Sequence, residues 1–112
     1  MSIIFHITQR AAWERAQEEG SYRTGSLKSE GFIHCSTQGQ VLPVANLLYK
    51  GVNDLVLLVI DENKLGAEVK YERPAPHIKN EFPHLYGELN LDAVLRVVDF
   101  PPQEDGTFKL PI

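Results

Sequence analysis

Gly31-Phe32-Ile33-His34-Cys35-Ser36-Thr37 is the stretch from which the rest of the chain can be read. Phe32, Ile33 and Cys35 suit a buried strand, with a histidine in its middle. Ser36 and Thr37 stop that strand. Thr37-Gln38-Gly39-Gln40 then matches a capping box, a threonine followed three residues on by a glutamine. Val41, Val44, Ala45 and Leu48 come at i, i+3, i+4 and i+7, which predicts an amphipathic helix ended by Gly51. Pro43 falls in its first turns, where proline is tolerated. A strand that feeds a helix gathers polar groups at the junction, and a helix N-terminus offers free N–H groups and a favourable field to an anion.

Two other stretches echo this one. Phe5-His6-Ile7-Thr8 is again apolar, histidine, apolar, hydroxyl. Phe82-Pro83-His84-Leu85-Tyr86-Gly87 places a histidine and a tyrosine two residues apart, on one face if extended. The three stretches are expected to meet in space.

Around them, Ile3 to Ile7 reads as the first strand, and Thr8 is placed to cap a helix from Gln9 to about Glu19. Ala12, Trp13 and Ala16 form its apolar stripe, with Trp13 a core anchor, and Gly20 stops it. Ser21 to Glu30 is polar. It reads as a loop with one helical turn at Leu27-Lys28-Ser29, either a rim to the site or a plain connector. Leu55 to Ile60 is continuously apolar and suits a strand buried on both faces. Val69 to Glu72 alternates as a half-buried strand. Arg73 to Glu81 is a proline-rich surface loop that leaves His77 exposed. Leu85 to Leu89 and Val94 to Phe100 read as further strands. Residues 101–112 read as a tail open to fraying. The order is α+β: a single domain over residues 1–112, two early helices, and a mixed or antiparallel sheet.

Composition bounds the function. A chain of 112 residues, 43% hydrophobic and 23% charged, suits one folded domain. A formal net charge of -4 argues against a nucleic-acid groove, which wants a basic surface. Cys35 is the single cysteine, so no intrachain disulfide forms, as expected in a reducing compartment. The N-terminal residues lack a basic region followed by an apolar run, and the longest apolar run is too short to span a bilayer. These features predict a cytoplasmic protein with no membrane partner.

Three chemistries compete for the polar residues. In a thiol or serine hydrolase Cys35 cannot pair with its neighbour His34, because adjacent strand residues face opposite ways, and no Gly-x-Ser-x-Gly elbow exists. Cys35 reads as a small buried hydrophobe. For a metal, His6, His34, His84 and Glu72 are candidate ligands, but no paired spacing supports one. For ligand binding, His6 and His34 stand beside Thr8 and Ser36 as neutral donors and acceptors. Tyr86 adds a flat ring and a hydroxyl, and Arg23 with the two helix N-termini could hold an anion. A planar, phosphate-bearing ligand such as a nucleotide fits that set.

Phe-His-Ile-Thr, Glu-Gly-Phe-Ile-His-Cys-Ser-Thr and Phe-Pro-His-Leu-Tyr-Gly together resemble a small bacterial family of unknown function. That family looks like a compact member of the ADP-ribosyltransferase superfamily, the fold of toxins, poly-ADP-ribose polymerases and RNA 2′-phosphotransferases. The resemblance runs to about Phe100. It implies a split β-sheet around a cleft for NAD or an ADP-ribose-like ligand. His6 falls where the superfamily holds a ribose hydroxyl. His34 falls where a tyrosine stacks on nicotinamide, and would be catalytic as an acid or base. His84 or Tyr86 would orient the reacting group. The chain departs from the pattern at the head of the last strand, where no glutamate sits; Glu88 lies beyond it. The expectation is an ADP-ribosyltransferase-like protein with catalytic His34 and His84, and with His6, Thr8, Arg23, Ser36 and Tyr86 holding the nucleotide. The alternatives are a non-catalytic nucleotide-binding module and a histidine-based hydrolase or metal protein.

Overall fold

The computed structural model describes residues 2–112. In chain order it lays down β1 (Ile3–Gln9), α1 (Arg10–Glu19), β2 (Ser21–Tyr22), α2 (Gly25–Ser29), β3 (Ile33–His34), α3 (Gln38–Leu48), β4 (Leu55–Asp61), β5 (Glu68–Glu72), β6 (Phe82–Tyr86), β7 (Leu89–Asn90) and β8 (Val94–Asp99). Single 3-10 turns follow β4 and β7.

The apolar run behaves as its composition demands. Every residue of β4 is buried. It lies between β1 and β8, antiparallel to both. Its alternation divides the interior in two. Val56, Leu58 and Ile60 pack with Ile4, Trp13, Ala16, Ile33 and Leu85. Leu55, Leu57 and Val59 pack with Phe5, Ile7, Val41, Ala45 and Phe100. Burying each large aliphatic side chain stabilises the fold by roughly 1.5–3 kcal/mol, so β4 anchors both layers at once.

A second sheet has the order β3-β6-β5, and β2 pairs with β7; every pairing among the described strands is antiparallel. The first and second sheets are joined where Phe5 and Ser36 exchange backbone hydrogen bonds at 2.8 Å each way. Among the described residues the class is α+β with three helices. The sequence predicts two, and the third, α2, grows from the turn expected at Leu27 to Ser29.

Several local expectations change. Gln9, not Thr8, occupies the N-cap of α1, because β1 runs through Gln9 and the helix begins only at Arg10. Gly20 does end that helix, at φ 88°, with its N–H on the Ala16 carbonyl. In α3 the Thr37 N–H donates to Gln40 Oε1 at 3.0 Å, one half of the capping box. Leu48, expected on the buried stripe, is 66% exposed; Tyr49 and Val52 pack against the core instead. The strand expected from Leu85 starts earlier, at Phe82, and contains Pro83. The Pro83 carbonyl accepts from Cys35 N–H, and the edge of Pro83 that lacks a donor faces the end of the two-residue β3. The C-terminal segment is tied down rather than frayed. Phe108 is buried against Phe100 with ring centroids 4.8 Å apart, and its N–H donates to Asn46 Oδ1 at 2.7 Å.

Candidate functional site

Residues directly opposite in an antiparallel pair share a face. His34 stands opposite His84, and His84 opposite Lys70. Tyr86 stands opposite Glu68, and Phe82 opposite Glu72. The intervening residues Ile33, Cys35 and Leu85 point inward and join the core. One outer face of the β3-β6-β5 sheet therefore collects two histidines, Tyr86, Phe82 and the charged residues of β5.

His84 is the centre of this face. Phe32 stacks on it, centroids 4.0 Å apart and planes 12° from parallel. Phe32 also meets His34 at 4.8 Å and Tyr86 at 5.3 Å, and the two imidazoles lie 5.5 Å apart. So covered, His84 is 2% exposed. Its Nδ1 lies 2.9 Å from Glu72 Oε1, and the Tyr86 hydroxyl donates to the same oxygen at 2.5 Å. The hydrogen bonds from Tyr86 and then His84 hold the Glu72 carboxyl below the usual carboxylate range, and Glu72 in turn raises the Tyr86 phenol. A carboxylate only accepts, so Nδ1 carries the proton, and in the neutral imidazole Nε2 is an acceptor. That Nε2 is buried and has no hydrogen-bond partner. Leaving such an atom unpaired costs about 1–3 kcal/mol, a cost accepted more often at working sites than in plain cores. His34 is more open: its Nε2 lies 3.0 Å from Glu30 Oε2, and its side chain is 48% exposed.

The other expected residues lie behind or beside this face. His6 is buried. Its Nδ1 is 2.6 Å from the His34 carbonyl, its Nε2 is 2.8 Å from the Tyr22 hydroxyl, and that hydroxyl is 2.8 Å from Thr8 Oγ1. The carbonyl can only accept, so His6 Nδ1 donates to it. Neutral His6 then accepts at Nε2 from Tyr22, which places the Thr8 hydroxyl proton toward Tyr22. Burial drives the His6 pKa down to about 4 and the Tyr22 phenol up to about 12. His6 and His34 are thus linked through the strand backbone, with the His6 ring on Tyr22 and the His34 ring on Phe32 and His84. Ser36 is buried in the bridge to Phe5. Arg23 is on the surface, its Nε 2.6 Å from Glu88. At the helix N-termini offered to an anion, Arg10 N–H donates to the Asp54 carbonyl and Thr37 N–H to Gln40. The structure therefore gathers His34, His84 and Tyr86, sets His6, Thr8 and Ser36 behind them as support, and leaves Arg23 apart.

Phe32, Glu30 and Lys70 escape the sequence reading. Phe32 looks like a core residue, yet it is half-buried on the outer face. The alternation of Val69 to Glu72 does place Lys70 and Glu72 on one polar side, but nothing local says which strand they join. Among the described residues no three His, Cys, Asp or Glu side chains converge closely enough to hold a metal ion. Among the described residues no helix is long and apolar enough to cross a membrane.

The fold and the histidine-centred face define a small α+β domain of antiparallel sheets. The chain belongs to the family described as "Protein of unknown function (DUF952)", whose model matches residues 7–97 and so takes in His34, Glu72, His84 and Tyr86. Among solved structures, the crystal structure of protein CC0527 from Caulobacter crescentus is 32% identical, with a TM-score of 0.86 over 97% of this chain and 95% of that one. The solution NMR structure of CC0527 is 33% identical, with a TM-score of 0.81 over 96% of this chain and 91% of that one. No curated protein matches the chain.

Proposed function

We propose that the outer face of the β3-β6-β5 sheet binds NAD or an ADP-ribose-like nucleotide and transfers the ADP-ribosyl group to a hydroxyl acceptor. The observation that carries this reading is the Glu72–His84 pair. A carboxylate on Nδ1 fixes the tautomer, and the unpartnered Nε2 is left as a base among flat rings. In the transfer the donor's glycosidic C–N bond breaks, and nicotinamide leaves with the electron pair. The acceptor oxygen bonds to the ribose carbon, and its proton passes to His84 Nε2. Glu72 supplies from β5 the carboxylate that the superfamily pattern places at the head of the last strand. Tyr86 and Phe32 offer ring faces to the base, and His6 holds the His34 backbone in place.

A second reading, a non-catalytic nucleotide-binding module, is favoured by the 2% exposure of His84 beneath Phe32. Turnover separates the two. Calorimetric titration with NAD and with ADP-ribose measures binding, and chromatography of released nicotinamide measures transfer. The transferase reading expects Glu72→Gln to lower turnover at least about 100-fold. Binding without turnover in the unmodified protein establishes the module. No binding of either nucleotide at millimolar concentration refutes both.

A further inference from the structure

A base that meets a ligand must be reachable, and His84 is 2% exposed. The residues around its ring differ in what holds them. His34 comes from β3, Glu72 from β5 and Tyr86 from β6, so backbone ladders fix all three. Phe32, stacked on the ring at 4.0 Å, belongs to no strand. It ends a strap, residues 25–32, that carries α2. That helix has no fully buried side chain, and its Leu27 is half-buried against the core. Gly25 starts the strap and Gly31 precedes Phe32; a Cβ at either would meet nothing within 4 Å, and Gly31 has φ 91°. The Ser26 hydroxyl donates to the Phe32 carbonyl at 2.8 Å, a bond within the strap itself. Glu30 reaches the sheet through His34 at 3.0 Å, and both of those side chains are about half exposed. Segments with few buried apolar contacts open at the lowest cost. The buried, unpartnered Nε2 of His84 is a separate sign that the closed arrangement is not the working one.

We propose that residues 25–32 are a lid on the His84 face, with Gly31 as its hinge, Phe32 as its plug and the Glu30–His34 pair as its latch. Closed, Phe32 covers the His84 ring and the base is shut off from solvent. Open, Phe32 swings away about Gly31 and His84 Nε2 becomes available, while Glu72 and Tyr86 stay in place on their strands. The low exposure of His84 is then the mark of a closed lid rather than of lost chemistry. The inference rests on the nucleotide reading above and adds the regulation of that site. Ligand meets only the open fraction of the protein, and the apparent affinity is lowered by that fraction.

The test reads His84 without any ligand. Diethylpyrocarbonate, which acylates reachable neutral imidazoles, is added to the full chain at pH 7, and initial rates at each histidine are taken by mass spectrometry. Exposed His77 sets the fast limit, and buried His6, hydrogen-bonded at both nitrogens, reports an intact fold. In the wild type His84 reacts at least about tenfold more slowly than His77. Phe32→Ala speeds His84 at least about tenfold. Gly31→Ala speeds it several-fold, because a side chain at φ 91° strains the closed strap and touches nothing else. His6 stays slow in both variants. His84 as reactive as His77 in the wild type, or no faster in either variant, overturns the lid. If Phe32→Ala does not fold, His6 reacts as fast as His77 there, and Gly31→Ala decides. Calorimetric titration of the wild type with NAD runs alongside. A lidded His84 in a protein that binds no NAD keeps the lid and removes the nucleotide reading. NAD binding with His84 already fully reactive keeps the nucleotide reading and removes the lid.

Discussion

Lowering the pH should unfold this protein through His6, and the size of the effect follows from its surroundings. Burial takes the His6 pKa from an ordinary 6.5 to about 4 in the folded chain. Between those values the unfolded chain binds a proton that the folded chain does not. Stability therefore falls as pH drops through 6.5, and the His6 contribution is whole only above that. The gap corresponds to roughly 3 kcal/mol, of which about 2 kcal/mol is lost between pH 7 and pH 5. The assay is urea unfolding followed by Trp13 fluorescence at both pH values, for the wild type and His6→Gln. Glutamine keeps a polar group near Tyr22 and the His34 carbonyl but cannot titrate, so the carboxylates cancel in the comparison. The wild type should lose about 2 kcal/mol more than the variant. Equal losses would refute the reasoning. If His6→Gln does not fold, the imidazole resonances of the wild type decide it. The His6 ring should still be unprotonated at pH 5, and a midpoint near the ordinary value would refute the claim.

Phe108→Ala should cost about 3 kcal/mol in urea unfolding, because the ring is 4% exposed and packs on Phe100; a loss near zero would mean the C-terminal segment is not part of the core. Gly87→Ala should lower the melting temperature, since a new Cβ would sit 2.6 Å from the Ala67 Cβ, and overpacking of that kind costs about 1–3 kcal/mol. An unchanged melting point would show that the turn after Tyr86 can shift. The Cys35 thiol is 3% exposed, and burial pushes its pKa up to about 12. Mass spectrometry should find it unalkylated by iodoacetamide in the native protein and modified in urea, and Cys35→Ala should bind ligand as the wild type does.

The parts of the fold legible in the sequence are those where one residue pattern has one physical solution. The six apolar residues Leu55 to Ile60 must be covered on both faces, and β4 is. Thr37 to Gln40 must begin a helix. The parts not legible depend on partners distant in the chain. β2 and β7 are two residues long and exist only as each other's partner. Leu48 follows the helical period yet faces solvent because Tyr49 and Val52 fill the space beside Phe5 and Phe100. Phe108 is apolar in a polar segment, and only the position of Asn46 decides that it docks. The site divides the same way. His34, His84 and Tyr86 are visible as histidines and a tyrosine in apolar strands. The role of Glu72 is not, because a pairing between β5 and β6 spans a proline-rich loop whose length says nothing of register. Phe32 misleads for a different reason: an aromatic beside an isoleucine reads as core, and the face it covers is itself aromatic.

The most direct test of the central claim is amide and imidazole chemical-shift mapping of the full chain during titration with NAD. The account predicts saturable shifts at Phe32, His34, Glu72, His84 and Tyr86, with the His84 ring protons among the largest. Shifts confined to the groove lined by Ala12, Arg15, Glu19, Tyr22 and Arg23, or no shifts at millimolar NAD, would contradict it.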